Sequence, residues 1–436
     1  MDMEFKYVPF DKGLELAKEI FNFAKRHSAF YSKKFEDIGE IKTYKDWLNI
    51  PFLTRDELYN NAFPYSLDMI TREIKNMIVI STGGTSGVAR YITLTHDEWD
   101  KFCEIQAKAL HLLGIRENDI VANLFVSGNL WPSFLGAHEI LKMLGAVHLP
   151  IEARTEGDKM MEFLFTFKPT VILSVPSLLV SLSDMALSMG KVFESVRLIM
   201  FAGEHLSKSA SSHIKKAFPN TEIKAAAYSS SDCGIMGYQC EYCEAGEYHI
   251  PTEFQFIEIF DFEKNRVAEP EEEGEIIITN LHRTAMPLIR YRIGDIGYIK
   301  KESCKCGDKN PILVLKGRAG EDFKIASAYV SMGEIERAIS SFVSKDGISP
   351  NYQVEITEDE KGFVGFILRI ESSDIQKSNR HREGIIKSLV DNIQILKMGF
   401  DANYFSVFDV KFVPVGSLPR SPITGKIKRL IDRRVN

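Results

Sequence analysis

The chain has 436 residues, of which 44% are hydrophobic and 26% are charged. That length exceeds what one compact core usually supports, so at least two domains are expected. The formal net charge of −6 argues against a dedicated nucleic-acid binder, because such proteins present a basic face. No apolar run reaches the roughly 18 residues of a membrane span, and the charged N-terminus lacks the apolar core of a signal peptide. We therefore expect a cytoplasmic protein with no membrane span.

The N-terminal stretch, residues 10–65, is predicted to be helical because apolar residues recur there near helical spacing. Thr54, with Glu57 three positions later, has the sequence of a capping box and predicts a helix start. The short apolar run at residues 77–80 predicts a buried strand.

Strands and helices alternate further along the chain, which predicts a parallel sheet covered by helices. The strand-like runs lie at residues 119–125, 146–150, 170–174, 196–201 and 223–227. Beyond residue 247 the alternation is typical of antiparallel strands, and glycine-containing turns become common.

Residues 317–320 predict a hinge, because a glycine-rich stretch there separates the β-rich part from a run of helix and strand signals. We therefore expect an α/β fold with two domains. The large N-terminal domain, residues 1–318, would combine helix-covered, mostly parallel sheets with a β-rich part at about 235–316. Residues 319–436 would form a small α+β C-terminal domain.

A loop rich in glycine and hydroxyl residues follows the strand at residues 77–80. Its members are Ser81, Thr82, Gly83, Gly84, Thr85, Ser86 and Gly87. Glycines let backbone N–H groups turn toward an anion, and the hydroxyls add donors. No Gly-Lys-Ser/Thr follows, so this is not a Walker loop. It predicts a site for a nucleotide triphosphate tail, with a flexible surface turn as the alternative.

Further motifs follow in order, and two of them come directly after predicted strands, where open α/β sheets place ligands. They are Ala202-Gly203-Glu204, Tyr228-Ser229-Ser230-Ser231-Asp232, a segment ending in Gly294-Asp295, Gly317-Arg318, and Gly425-Lys426 near the C-terminus.

Together and in this order, the motifs resemble those of the acyl-adenylate-forming superfamily, and more closely those of phenylacetate–CoA ligase-like proteins. The resemblance covers essentially the whole chain. It implies that ATP activates a carboxylic acid, aryl or arylacetic, to acyl-AMP. Coenzyme A then takes the acyl group, with release of AMP and pyrophosphate, while the C-terminal domain acts as a mobile lid. Two alternatives stay open: transfer to a protein thiol or amine, and a non-catalytic, zinc-stabilised nucleotide-binding homologue.

The resemblance also implies which residues bind the nucleotide. Residues 81–87 would hold the β- and γ-phosphates, and Gly203 and Glu204 would line the adenine site. Tyr228 would stack on adenine, since aromatic rings suit a flat base. The adjoining Ser229 and Ser230 are also predicted to contact the nucleotide.

The charged residues would serve the ribose, the metal and the reacting groups. Asp295 would accept hydrogen bonds from both ribose hydroxyls, and Arg318 would hold the ribose or a phosphate. Asp232 would bind Mg²⁺, which prefers hard oxygen ligands. Lys426 would reach the substrate carboxylate and the α-phosphate and offset their charge. Lys426 and Arg318 are therefore the predicted catalytic residues.

Two departures from the family pattern bear on the phosphate and magnesium sites. Family loops often continue Gly-x-Pro-Lys, whereas Gly87 is followed here by Val88-Ala89-Arg90. Arg90 keeps a positive charge but offers a planar fork instead of a point charge. The acid that follows the Tyr228 motif is Asp232 where relatives have Glu, so its carboxylate is one methylene shorter.

Two close cysteine pairs predict a metal site. Cys240 and Cys243 form the first pair, Cys304 and Cys306 form the second, and His249 is a fifth candidate. In a reducing compartment such pairs favour a metal over a disulfide. Four of the five would complete a tetrahedral structural zinc site, and the sequence does not choose which is left out. Four free thiols, or a redox pair, are the alternative.

The acid substrate and the oligomeric state are less constrained. Phe125, Trp131, Phe134 and His138 lie on a segment that would line an aromatic pocket in this family, with ordinary core packing as an equal alternative. A homodimer stays open. The partners expected are a small carboxylic acid, ATP and coenzyme A, and no nucleic acid.

Overall fold

The fold was analysed on a computed structural model. It describes residues 3–82, 90–203, 206, 208–244, 246–318, 323–325, 328–330, 332–343, 345–419 and 429–434. Within these ranges no helix is both long and apolar enough to cross a bilayer.

The helices precede, separate and follow the strands. They are α1 (Phe10–His27), α2 (Ala29–Lys34), α3 (Tyr44–Trp47), α4 (Arg55–Asn61), α5 (His96–Leu112), α6 (Pro132–Leu144), α7 (Gly157–Phe167), α8 (Pro176–Ser188), α9 (Lys208–Ala217), α10 (Met332–Ile339), α11 (Ile375–Ser378), α12 (Arg382–Asn392) and α13 (Gln394–Asp401).

The strands in the first half of the chain are β1 (Met77–Ser81), β2 (Tyr91–Thr95), β3 (Ile120–Asn123), β4 (Val147–Pro150), β5 (Val171–Ser174), β6 (Leu198–Phe201), β7 (Glu222–Ala225), β8 (Tyr228–Ser230) and β9 (Gly234–Gly237). The others are β10 (Glu247–His249), β11 (Gln255–Asp261), β12 (Arg266–Val267), β13 (Gly274–Asn280), β14 (Tyr291–Ile299), β15 (Ile312–Arg318), β16 (Phe323–Ile325), β17 (Ala328–Val330), β18 (Ile348–Glu358), β19 (Val364–Ser372), β20 (Phe405–Pro414) and β21 (Leu430–Asp432).

A five-stranded parallel sheet in the order β4-β3-β5-β6-β7 forms the centre of the large N-terminal part. Successive side chains of its strands enter different cores: Val171 and Leu173 pack on one face, and Ile172 packs on the other. This follows from the two-residue period of a strand. Helices α5 and α6 cover the first face, and α7, α8 and α9 cover the second. The predicted α/β class with a helix-covered parallel sheet is confirmed.

The β-rich region is a six-stranded antiparallel sheet in the order β10-β15-β14-β13-β11-β12. The predicted change to antiparallel pairing is therefore confirmed. A separate core lies in the C-terminal part, where β18, β19, β20 and β21 form a mixed sheet packed on α10, α12 and α13. The division into domains at residues 318 and 319 stays a prediction.

The N-terminal helices are fixed to the antiparallel sheet by a buried ion pair. Arg290 Nε and Glu258 Oε2 are 3.0 Å apart, and both side chains are 1% exposed. The same carboxylate accepts from Trp47 Nε1 at 3.0 Å, and Arg290 Nη1 donates to the carbonyls of Leu48 and Ile50. Each guanidinium nitrogen of Arg290 and both carboxylate oxygens of Glu258 thus take part in hydrogen bonds, as a buried pair requires.

Arg290→Ala is expected to destabilise the protein by about 3–5 kcal/mol, because it leaves the Glu258 charge buried without a partner. Arg266→Ala is the matched control. Arg266 pairs with Glu272 at 2.7 Å, and the two side chains are 40% and 37% exposed, so the loss of this pair should cost at most about 1 kcal/mol. Urea unfolding of both variants measures the difference, and equal losses would contradict the prediction.

Candidate functional site

The predicted phosphate loop is the connection of an antiparallel hairpin. Strands β1 and β2 pair from Met77 with Thr95 to Ser81 with Tyr91. At the base of the loop, Thr82 N donates to Arg90 O at 2.9 Å and Arg90 N donates to Thr82 Oγ1 at 3.1 Å. Residues 83–89 lie outside the described residues, so the roles of Gly83, Gly84, Thr85, Ser86 and Gly87 stay predictions.

This hairpin lies against the segment that follows β3 at the carboxyl edge of the parallel sheet. Ser81 N donates to Leu130 O at 2.9 Å, and Ser81 Oγ donates to Asn129 O at 2.7 Å. Gly203 follows β6 at the same edge and has a positive φ of 82°, a conformation that favours glycine. The carboxyl edge is where open α/β sheets bind ligands. Glu204, predicted beside it, is outside the described ranges.

Two residues predicted for the adenosine are joined by a hydrogen bond. The Tyr228 hydroxyl donates to Asp295 Oδ2 at 2.6 Å, and Asp295 is buried. The Tyr228 ring lies 5.7 Å from the Tyr248 ring at an interplanar angle of 40°. Arg318 is the cross-strand partner of Asp295 between β14 and β15. Three predicted positions from distant motifs therefore meet, although stacking of Tyr228 on adenine stays a prediction.

The backbone before Asp295 requires glycine. Gly294 has φ of +75°, and a Cβ there would lie within 2.5 Å of the Arg55 guanidinium. Any other residue would be strained and would displace Arg55. Glycine is therefore required at position 294, both by the backbone conformation and by the space that Arg55 occupies. Ser229, also predicted here, is exposed, while Ser230 Oγ accepts from Cys233 N at 3.0 Å.

Asp232 lies in the turn between β8 and β9 and is buried. Its Oδ2 accepts from Arg90 Nη2 at 2.9 Å, from Arg90 Nε at 3.3 Å and from the Tyr291 hydroxyl at 2.8 Å. Burial acts to raise the pKa of this carboxyl, but the Arg90 charge and the two donors hold the pKa below its ordinary value. Asp232 is therefore an ionised group with a guanidinium as its counterion.

One oxygen of Asp232 is unavailable to the predicted magnesium ion, whereas Oδ1 is buried with no hydrogen-bond partner among the described residues. Mg²⁺ keeps near-octahedral coordination with several waters, whereas this carboxylate is enclosed and its Oδ2 is already used by Arg90 and Tyr291. A cation on Asp232 would also lie close to the guanidinium, which repels it. The magnesium role of Asp232 therefore stays a prediction.

The predicted acid-pocket segment divides between core and surface. Phe125 is buried in the main core, and Phe134 packs partly against it. His138 lies on the exposed side of α6, with its Nδ1 3.2 Å from His148 Nδ1. Trp131 is half-buried. The position of Phe125 agrees with ordinary core packing, whereas His138 lies at the surface. A role of these residues in the acid pocket stays a prediction.

The cysteine pairs meet on the β-rich sheet as a compact group. The ligand atoms of Cys240, His249, Cys304 and Cys306 all lie within 4.8 Å of one another. Cys240 Sγ is 3.5 Å from Cys304 Sγ, and Cys306 Sγ is 3.5 Å from His249 Nε2. In a tetrahedral zinc site with Zn–S near 2.3 Å, ligand sulfurs lie about 3.8 Å apart. The spacing therefore fits a three-cysteine, one-histidine zinc site.

Cys243, the fifth candidate, is outside this four-residue group, although its Sγ is 3.6 Å from Cys240 Sγ. Burial raises the pKa of the Cys240 and Cys306 thiols to about 12, so a metal would have to displace their protons. Backbone N–H groups of Tyr242 and Asp308 point at the two sulfurs at 3.4 Å and would stabilise thiolates.

Neighbouring residues orient the histidine for a metal. His249 is fully buried, and its Nδ1 is 3.0 Å from the Asn310 carbonyl. A carbonyl only accepts, so Nδ1 carries the proton and the Nε2 lone pair faces Cys306. Asn310 Nδ2 donates to the Tyr238 hydroxyl at 3.0 Å, and that hydroxyl donates to Asp308. This supporting layer is the usual companion of a metal-bound histidine.

Several of these residues carried no assigned role in the sequence analysis. Arg90 was noted only as a departure from a family lysine, and Tyr291, three positions before Gly294, had no predicted function. Asn310 and Asp308 follow the second cysteine pair closely, and that proximity was the available signal. Lys426 lies outside the described residues, and the Arg318 side chain is likewise not described.

The chain is similar in sequence to proteins of known function. Residues 140–282 match the AMP-binding enzyme family model. A phenylacetate–coenzyme A ligase of Aromatoleum evansii is 24% identical over 97% of this chain and 93% of its own length. An indoleacetate–lysine synthetase of Pseudomonas savastanoi is 24% identical over 90% of this chain and 92% of its own.

Among solved structures, 2-hydroxyisobutyryl-CoA ligase in complex with 2-HIB-AMP and CoA matches with a TM-score of 0.76 at 20% identity. The match covers 97% of this chain and 89% of the other. It supports a common fold over nearly the full length of both chains.

Proposed function

We propose that this chain, a phenylacetate–CoA ligase-like member of the acyl-adenylate-forming superfamily, activates a carboxylic acid with ATP and transfers the acyl group to coenzyme A. In the first half-reaction a carboxylate oxygen bonds to the α-phosphorus and pyrophosphate leaves. In the second, the CoA sulfur bonds to the carbonyl carbon and AMP leaves. The observation that carries the proposal is the hydrogen bond from Tyr228 to Asp295, with Arg318 directly across the sheet.

The chemistry assigned to each residue follows from its donors and acceptors. Asp295 carries two carboxylate oxygens, the kind of acceptor that ribose hydroxyls require. Thr82 and Arg90 close the base of the loop that would receive the triphosphate tail. Lys426 would offset the negative charge as the carboxylate attacks. The C-terminal part, residues 319–436, would act as the lid that brings Lys426 to the site for the first step.

The proposed acid is an aryl or arylacetic acid, because the similar curated proteins are named for phenylacetate and indoleacetate. The solved neighbour is named for a short hydroxy acid, so the test needs both kinds. An amine is proposed as an alternative acceptor, because one relative is named an indoleacetate–lysine synthetase, and lysine carries amines.

The test incubates the purified chain with ATP, Mg²⁺ and one acid at a time: phenylacetate, indoleacetate, benzoate and 2-hydroxyisobutyrate. Acid-dependent pyrophosphate release is expected with at least one of the arylacetic acids. Addition of CoA should give the matching thioester by mass spectrometry, whereas lysine should give no amide. An amide with lysine, and no thioester, would favour the amine acceptor. No pyrophosphate with any acid would favour a non-catalytic homologue.

We further propose that Cys240, His249, Cys304 and Cys306 hold a structural zinc ion. Four protein ligands would close the coordination sphere and leave no position for a substrate. The ion would join β10 to the segment between β14 and β15, and it would stabilise this edge of the sheet without entering the reaction.

A further inference from the structure

The Arg90–Asp232 ion pair has no counterpart among the predicted roles. It lies near the predicted nucleotide site, and its side chains are 18% and 3% exposed. Nε and Nη2 of Arg90 and the Tyr291 hydroxyl all donate to one oxygen of Asp232, Oδ2. These three donors offset the burial of the Asp232 charge through Oδ2, while Oδ1 has no hydrogen-bond partner among the described residues.

This single oxygen connects three segments that are far apart in sequence. Arg90 closes the base of the β1–β2 loop through its two backbone bonds with Thr82. Asp232 follows β8, which begins at Tyr228, and Tyr291 opens β14, which carries Asp295. The network therefore fixes the loop base relative to the two residues that are joined by the Tyr228–Asp295 bond.

We infer that Asp232 is a positioning residue for Arg90, and that Arg90 is the fixed cation that this chain presents to the phosphates of ATP. The inference rests on the proposed function. Guanidinium is always charged and presents its donors in a rigid fork, and it loses less freedom on binding when one edge is already held. Arg90 offers five N–H donors in all. Two of its nitrogens face Asp232, which leaves donors for an anion.

The alternative role for Asp232, a direct metal ligand, predicts the opposite behaviour without metal. If Asp232 served only a cation, its negative charge would repel the phosphates in EDTA, and Asp232→Asn would leave ATP affinity unchanged or improve it. If Asp232 positions Arg90, the same variant would weaken metal-free ATP binding. The sign of the change therefore separates the two roles.

The experiment measures ATP binding by calorimetry in EDTA on the full chain, and adenylation by acid-dependent ATP–pyrophosphate exchange. Asp232→Asn and Arg90→Gln are each expected to weaken metal-free ATP binding about 10- to 100-fold, the cost of a charge-assisted hydrogen bond. The double variant should lose no more than the worse single variant, because the two residues act as a unit. Half-saturating Mg²⁺ in the exchange assay should not change.

Two controls separate positioning from general damage. Asp119→Asn removes another buried carboxylate paired with an arginine, Arg197, at the amino edge of the parallel sheet, and should leave ATP affinity unchanged. Tyr291→Phe removes one donor to Asp232 with little change of volume and should give a smaller loss in the same direction. Circular dichroism melts identify any variant that fails to fold, and Arg90→Lys then replaces Arg90→Gln, with a loss expected because lysine lacks the fork.

Unchanged or tighter ATP binding by Asp232→Asn would overturn the inference. So would a rise of tenfold or more in half-saturating Mg²⁺ for Asp232→Asn but not for Arg90→Gln, or additive losses in the double variant. A wild-type chain that binds no ATP would overturn the proposed function together with the inference. A wild-type chain that binds ATP while Asp232→Asn binds it equally well would overturn the positioning role alone.

Discussion

Cys240→Ser is expected to remove the bound zinc, whereas Cys243→Ser in the same Cys-Glu-Tyr-Cys segment should keep it. Cys240 belongs to the group whose ligand atoms lie within 4.8 Å of one another, and Cys243 does not. Serine oxygen is a poor replacement for a thiolate, because zinc in structural sites selects sulfur and nitrogen ligands. We expect about one equivalent of zinc in the wild type and in Cys243→Ser, and near zero in Cys240→Ser.

The loss of zinc should be accompanied by a loss of stability on the order of 5 kcal/mol, since loss of a metal belongs to the few changes with effects this large. Metal analysis of protein prepared without chelator measures the first effect, and urea unfolding measures the second. Cys304→Ser should behave like Cys240→Ser, because its sulfur is 3.5 Å from that of Cys240. Zinc retained by Cys240→Ser and lost by Cys243→Ser would contradict the assignment.

Much of the fold could be predicted from the sequence, because the patterns that indicate helices and strands are local. Short apolar runs that alternate with helix signals predicted β3, β5 and β6, and the capping box of Thr54 and Glu57 is present at the start of α4. Helix α7 was missed, although Met160 and Leu164 lie four residues apart on its buried face. The strand at residues 77–80 was predicted as buried, but it pairs in a hairpin and only its C-terminal end is buried.

From the sequence, the candidate site could be predicted only as a set of motifs in a particular order. Motif order does not reveal that the Tyr228 hydroxyl bonds to Asp295, or that Arg90 meets Asp232 across 142 positions. Such contacts depend on how the hairpin, the β8–β9 turn and β14 pack together. The zinc ligands illustrate the same limit, since five candidates were equivalent by spacing and geometry alone separates Cys243 from the others.

The proposed reaction gives the last large effect, at Lys426, which the described residues do not include. In the first half-reaction a carboxylate approaches an α-phosphate, so two anions would have to come together in the proposed site. Removal of one well-placed donor in such a site costs about 100- to 1000-fold in rate. Lys426→Ala is therefore expected to lower acid-dependent ATP–pyrophosphate exchange by that factor.

The second half-reaction should respond differently, because expulsion of AMP from acyl-AMP does not require two anions to meet at the α-phosphate. Supplied with preformed acyl-AMP and CoA, Lys426→Ala should form thioester within about threefold of the wild-type rate, less than the loss of one good hydrogen bond. Lys428→Ala is the matched control, a lysine in the same basic tail that should leave both steps unchanged. Equal losses in both half-reactions would assign Lys426 to nucleotide binding in general, and a normal exchange rate would remove it from the site. A loss of rate in the first half-reaction alone is therefore the decisive result, since a misfolded C-terminal part would slow both half-reactions.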